Sequence, residues 1–88
     1  MRRPTHLANL DLNLLSVLEA LLSERSVTRA ARRLGRTQPA VSAALAKLRR
    51  HFGDELLLRS GNRYELSPLA AQLVEPVEVA TAAARRVF

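Results

Sequence analysis

Helical periodicity runs along most of the chain, broken by short turns. Leu12, Leu15, Leu18 and Leu22 recur at offsets of three and four, joined by Leu14, Val17 and Leu21. That spacing predicts a helix from a cap at Asn9 or Asp11 to about Ser23 or Glu24. Its apolar stripe is wider than the ~100° of a one-sided surface helix, so it should be covered on two sides. Residues 1–8 show no period and read as a loose arm. Ser26 is a cap for a shorter helix, Val27 to Leu34. Val27, Ala30, Ala31 and Leu34 form its buried side, and Arg29, Arg32 and Arg33 its outer side. Gly35 follows where a left-handed cap favours glycine. Thr37 or Gln38 caps a third helix, with Pro39 in its first turn, where a missing N–H costs nothing. Val41, Ala44, Leu45, Leu48 and Phe52 share one face of this helix, and Gly53 ends it.

Beyond Gly53 the period changes. Leu56 to Arg59 reads as a short strand, Ser60-Gly61-Asn62-Arg63 as a turn and Tyr64 to Leu66 as the return strand. Ser67-Pro68 then starts a last helix, with Leu69, Leu73, Val77, Ala80, Ala84 and Val87 on one stripe. Pro76 predicts a kink between Gln72 and Pro76, not a stop, because the periodicity continues past it. A helix of about 20 residues outruns what so small a chain can cover. From about Val77 onward its stripe asks for a partner helix, most simply a symmetry mate. On that reading, truncation after Val74 leaves a folded monomer.

Ala31, Leu34, Gly35, Val41 and Ala44 stand at the offsets of a helix-turn-helix. The expected fold is mainly α: a winged helix-turn-helix, with a three-helix core and a two-stranded wing, over residues 1–66. Residues 67–88 form a long linker and dimerisation helix.

Composition narrows the chemistry. Eighty-eight residues make one small domain, and the 48% apolar fraction is mostly Leu and Ala, which favour helices. There is no cysteine, so neither disulfides nor thiolate metal sites are available. His6 and His51 have no ligand spacing, so no metal and no cofactor is expected. No apolar run approaches a membrane span, and Leu12 to Leu22 is broken by Asn13, Ser16 and Glu19, which excludes a signal peptide. A cytoplasmic, nucleoid-associated protein is expected. The net charge is +6, but residues 25–63 hold ten Arg or Lys against two acids, an excess of +8, while each flank carries −1. So concentrated a field commonly faces a polyanion.

On the third helix the face away from the apolar stripe holds Gln38, Pro39, Ser42, Ala43, Ala46, Arg49 and Arg50, with no acid among them. Small side chains at Ser42, Ala43 and Ala46 let a backbone approach a groove floor. Gln38 and Ser42 can reach base edges, Gln preferring adenine. Lys47, Arg49 and Arg50 suit phosphates. Arg59 and Arg63 near the wing tip fit the phosphate backbone or a narrow minor groove; alternatively Arg59 is tied to Asp54 or Glu55. These features point to double-stranded DNA as partner. The alternative is a helical interaction module whose basic face binds an acidic protein. No catalytic residues are found: Ser42 and His51 lie on opposite sides of one helix, and no glycine-rich phosphate loop is present.

The runs Leu10-Asp11-Leu12-Asn13-Leu14-Leu15, Ser26-Val27-Thr28-Arg29-Ala30-Ala31 and Thr37-Gln38-Pro39-Ala40-Val41-Ser42 carry a resemblance, as do Leu45, Leu48-Arg49, Leu58-Arg59 and Ser67-Pro68. Together they resemble the N-terminal DNA-binding domain of LysR-type transcriptional regulators, closest to the nodulation and aromatic-degradation branch. The resemblance implies a dimer through the linker helix, inverted-repeat operators, and gene activation or repression. It also implies a small-molecule effector held by a further domain that this chain does not contain. By the same resemblance Gln38, Pro39 and Ser42 meet the major groove, Thr28 and Thr37 touch phosphates, and the Arg59–Arg63 wing reaches the neighbouring minor groove. Three positions depart from the family pattern. Ala43 replaces a long polar residue, Arg36 replaces an apolar one and adds a phosphate contact, and Leu57 replaces a wing Phe.

Overall fold

In the computed structural model, residues 11–88 are described; the arm at residues 1–8, the cap candidate Asn9, and Leu10 and His6 lie outside them. The order is α1 (Leu12–Glu24), α2 (Val27–Leu34), α3 (Gln38–Phe52), β1 (Leu57–Ser60), β2 (Arg63–Leu66) and α4 (Pro68–Val87). Each helix starts where a side-chain oxygen can take an orphan backbone N–H. Asp11 accepts from Asn13, Ser26 from Arg29, Thr37 from Ala40 and Ser67 from Ala70. Gly35 and Gly53 close α2 and α3 in the left-handed conformation, at φ +66° and +61°.

α1 is the hub, packing against α2, α3 and α4. Its Val17, Leu18, Leu21 and Leu22 are buried among Ala30, Ala31, Val41, Leu45 and Leu48. The wide apolar stripe of α1 is explained by these neighbours, which cover more than one of its sides. Leu21, at 1% exposure, is among the largest side chains fully enclosed.

The wing is an antiparallel pair in which Leu57 faces Leu66 and Ser60 faces Arg63. Gly61, at φ +62°, takes the first loop position, where an L side chain would be strained. The strand begins at Leu57, one residue later than the sequence suggests. Leu56 is instead a buried corner at φ +66°. Asp54 explains the corner: its carboxylate accepts the Leu56 N–H at 2.8 Å and the Ser67 hydroxyl at 2.6 Å. One side chain thus joins the end of α3 to the start of α4. Arg59 is not held by Asp54 or Glu55; its guanidinium lies 5.8 Å from the Tyr64 ring centroid.

α4 runs unbroken through Pro76 and is more than a linker. Ala70 and Val77 are buried in the core, with Leu73 and Val74 packed against it. Thr81 is buried too, its hydroxyl 2.8 Å from Glu19. Arg85 reaches the same carboxylate at 3.0 Å. This corrects the single stripe read from the sequence. Val77 serves the chain's own core, and Leu69, Leu73 and Ala84 are half-covered, leaving Ala80 and Val87 exposed. Nor does the picture of residues after Val74 as surplus survive, since Val77 and Thr81 close the outer side of α1.

Candidate nucleic-acid interface

α2 and α3 are joined by a turn of three residues, Gly35 to Thr37. The turn brings the first turns of both helices together: the Gln38 amide nitrogen donates to the Thr28 hydroxyl. Val41, Leu45 and Leu48 seat α3 on the core, while Gln38, Pro39, Ser42, Ala43, Lys47 and Arg50 are exposed, as are Thr28, Arg36 and Thr37. Thr37 is engaged as the cap of α3, accepting from Ala40 at 3.2 Å.

The bond to Thr28 has a chemical consequence. It uses one of the two amide hydrogens of Gln38 and fixes the plane of the amide. The second hydrogen and the carbonyl oxygen stay free. Adenine offers the complementary acceptor and donor in the major groove.

Arg49 departs from its expected role. Its guanidinium donates to the Glu55 carbonyl at 2.8 Å and the Leu57 carbonyl at 3.4 Å, with the Glu55 carboxylate at 3.5 Å. Arg49 therefore clamps the approach to the wing instead of projecting to solvent. The helical count explains it: four residues place Arg49 only about 40° from buried Leu45, at the border of the core face. Lys47 and Arg50 lie further round and stay exposed.

Ion pairing sorts the remaining cations. Glu24 holds Arg29 and Arg33 at 3.6 Å each, and Glu19 takes Arg33 at 3.7 Å. Arg36 donates to the Asn13 side chain at 3.2 Å. Among the described residues Arg25, Arg32, Lys47, Arg50 and Arg63 have no hydrogen bond or ion pair from their side chains. Arg32 was missed by the motif reading, although it stands one helical turn after Thr28 and so shares its side of α2. The basic stretch therefore divides: Arg29, Arg33 and Arg49 are paired with Glu24, Glu19 or Glu55, and Arg25, Arg32, Lys47, Arg50 and Arg63 have no acidic partner among the described residues.

Among the described residues no three His, Cys, Asp or Glu side chains come together to hold a metal ion, and no helix is long and apolar enough to cross a membrane.

Comparison with known proteins agrees with this geometry. The profile of the family "Bacterial regulatory helix-turn-helix protein, lysR family" matches residues 12–71. Nodulation protein D of Bradyrhizobium sp. (strain ANU 289) is 51% identical over 71 residues, 81% of this chain and 21% of that protein. The HTH-type transcriptional regulator SyrM 2 of Sinorhizobium fredii is 49% identical over 74 residues, 84% of this chain and 22% of that protein. The chain thus spans about a fifth of the length of these curated relatives, the second of which is named as a transcriptional regulator. Among solved structures, a probable transcriptional regulator, PA0477 from Pseudomonas aeruginosa, superimposes with a TM-score of 0.82 at 42% identity, covering 91% of this chain and 27% of that one. The BenM DNA-binding domain, solved in complex with catB site 1 DNA, gives a TM-score of 0.80 at 23% identity, covering 89% of this chain and 88% of that one, a likeness of fold alone. With four helices and a two-stranded wing that superimpose on a probable transcriptional regulator, and the family's profile matched over residues 12–71, the chain belongs to the LysR family of bacterial helix-turn-helix regulators.

Proposed function

We propose that the chain is the DNA-reading part of a transcriptional regulator that binds double-stranded DNA sequence-specifically, as a homodimer on an inverted-repeat operator. One observation carries this reading. The outer face of α3 is exposed, free of acids and large apolar groups, and bordered by unpaired cations, while its inner face is locked to the core. α3 lies in the major groove, with Gln38 and Ser42 at base edges and Pro39 and Ala43 allowing close approach. Thr28, Arg36, Thr37, Lys47 and Arg50 lie at phosphates, and Arg59 and Arg63 of the wing at the adjacent minor groove and the phosphates that border it. Arg49 acts indirectly, by fixing the wing to α3. The BenM domain's complex with DNA supports the partner class. Regulation by a small metabolite belongs to the part of the relatives' length that this chain does not span, and the site of action is the nucleoid.

Footprinting on the DNA flanking its own gene locates the operator. On that operator Gln38→Ala is expected to weaken binding by about 1–3 kcal/mol and to relax preference at one base position. Equal losses on operator and random duplex would mean that Gln38 reads no sequence.

For the dimer, the outer line of α4 is the surface to watch. Val79 is 64% and Val87 75% exposed, and Ala80 and Ala83 lie between them. Pro76 extends the same line by one turn. Two such lines in antiparallel contact bury the apolar surface that α1 leaves uncovered. Residues 67–88 thus serve twice, as the core's last wall and as the dimer contact. Val79→Glu is expected to leave the melting midpoint of a monomeric domain intact and to shift sedimentation from dimer to monomer. A Val79→Glu protein that still sediments as a dimer would move the interface elsewhere.

A further inference from the structure

The α1–α2 turn contains an arginine that the fold does not need. Arg25 caps α1 at φ +52°, ψ +36°, a left-handed conformation that glycine adopts freely and that costs other L residues on the order of 1 kcal/mol. Its backbone N–H closes the helix on the Leu21 carbonyl, a bond that any residue but proline would make. Its side chain is exposed and has no hydrogen bond or ion pair among the described residues. No contact among the described residues accounts for an arginine here.

The surroundings do. Arg25 lines a cleft of about 650 Å³ between the α1–α2 turn and the tip of the wing, with Arg29 on one wall and Asn62, Arg63 and Tyr64 on the other. Glu24 is the only acid in its lining, and that carboxylate is already shared between Arg29 and Arg33. Two guanidinium groups, of Arg25 and Arg63, therefore face one polar recess with no anion to balance them. Arg29 adds a fixed positive wall, its Nη2 donating to the Glu24 carbonyl at 2.9 Å. Ser26 follows Arg25 directly, and Thr28, three residues after Arg25, touches Gln38. The cleft thus lies between the α1–α2 turn with the first turn of α2 on one side and the wing tip on the other, so a strand running from the start of α2 to the wing passes over it.

We propose that this cleft receives a backbone phosphate of the bound DNA, with Arg25 from the turn and Arg63 from the wing as its two ligands. The proposal rests on the DNA-binding reading and extends it by a contact that bridges α3 in the major groove and the wing. A guanidinium suits the task because its planar fork matches phosphate oxygens. The contact is to the backbone, so it adds affinity without adding sequence preference.

The test uses the whole chain and a mixed-sequence duplex of about 30 base pairs, whose binding depends on phosphates and needs no operator. Affinity is followed from 50 to 200 mM salt for the wild type, Arg25→Gln, Arg25→Gly and, as a reference, Lys47→Gln. Each Arg25 substitution is expected to lower affinity by up to about tenfold at 0.1 M salt and to reduce the log–log slope by up to about 0.9, the value of one phosphate contact, part of which Arg63 retains. Arg25→Gly should do so with a melting midpoint at or above that of the wild type, since glycine relieves the left-handed backbone. An unchanged slope in both Arg25 variants, with Lys47→Gln reducing it, would overturn the phosphate site and leave the DNA reading standing. No salt-dependent binding by the wild type would overturn both. The chain has no native cysteine, so Arg25→Cys carrying a hydroxyl-radical-generating label gives an independent readout. On the footprinted operator, where the register is fixed, cuts in the DNA backbone next to the wing's contact support the site, and cuts elsewhere or nowhere refute it.

Discussion

Between 50 and 200 mM salt the affinity of this chain for duplex DNA is expected to fall about a thousandfold. Each phosphate neutralised releases condensed counterions, and the log–log slope is about −0.9 per contact. The number of contacts follows from which cations are free. Arg29, Arg33, Arg49 and Arg85 are held by Glu19, Glu24 or Glu55, and Arg86 lies at the far end of α4. That leaves Arg32, Arg36, Lys47, Arg50, Arg59 and Arg63 without a carboxylate partner among the described residues, and Arg25, added by the cleft, shares one phosphate with Arg63. Six contacts give a slope near −5, which over a fourfold change in salt is about three orders of magnitude. Filter binding or fluorescence anisotropy on one duplex measures it. A slope shallower than about −2 would mean that these arginines are a solvated surface and not a DNA footprint. The formal charge alone would have suggested ten cations in residues 25–63; the ion pairs with α1 and Glu55 lower the expectation.

The same division shows what the sequence could and could not say. Caps and breaks were legible because their chemistry is local. Asp11, Ser26, Thr37 and Ser67 each accept a backbone N–H two or three residues on, and Gly35 and Gly53 stand where the backbone turns left-handed. The inner face of α3 was legible for a similar reason, since a period of 3.6 residues needs no knowledge of the partner. What failed depended on distant residues. Arg49 lies on the rim of the core face, and only the position of Glu55 and Leu57 decides whether it points outward or folds over. Leu56 looks like a strand residue until Asp54 draws its N–H into a corner. The stripe on α4 mixed two faces: Val77 turns to α1, Ala80 and Val87 turn away, and Leu73 sits at the border. A helical wheel gives angles but not which of two adjacent sectors meets the body of the domain.

That last ambiguity decides the second large effect. Truncation after Val74 is expected to cost about 4 kcal/mol or more and to abolish a sharp thermal transition. The deleted segment carries Val77, buried to 6% exposure in the core, and Thr81, buried against Glu19. Losing the valine forfeits about 1.5–2 kcal/mol of apolar burial. Leu22, beside Val77, and Leu15, beside Thr81 and Ala84, lose cover on α1, adding a comparable exposure cost. Glu19, with its side chain only 18% exposed, loses the Thr81 hydroxyl and Arg85 together, and a hydrogen bond to a charged group is worth about 1.5–3 kcal/mol. A domain of this length has on the order of 5–10 kcal/mol in total, so the loss consumes much of its stability. The outer line of α4 behaves differently. Val79 and Val87 contribute nothing to the core, so charge placed there should disturb association alone. Circular dichroism melts of the chain cut after Val74 and of the Val79→Glu chain, run at equal concentration, separate the two roles. A truncated chain that melts as sharply as the intact one would show that the outer side of α1 is stable without α4.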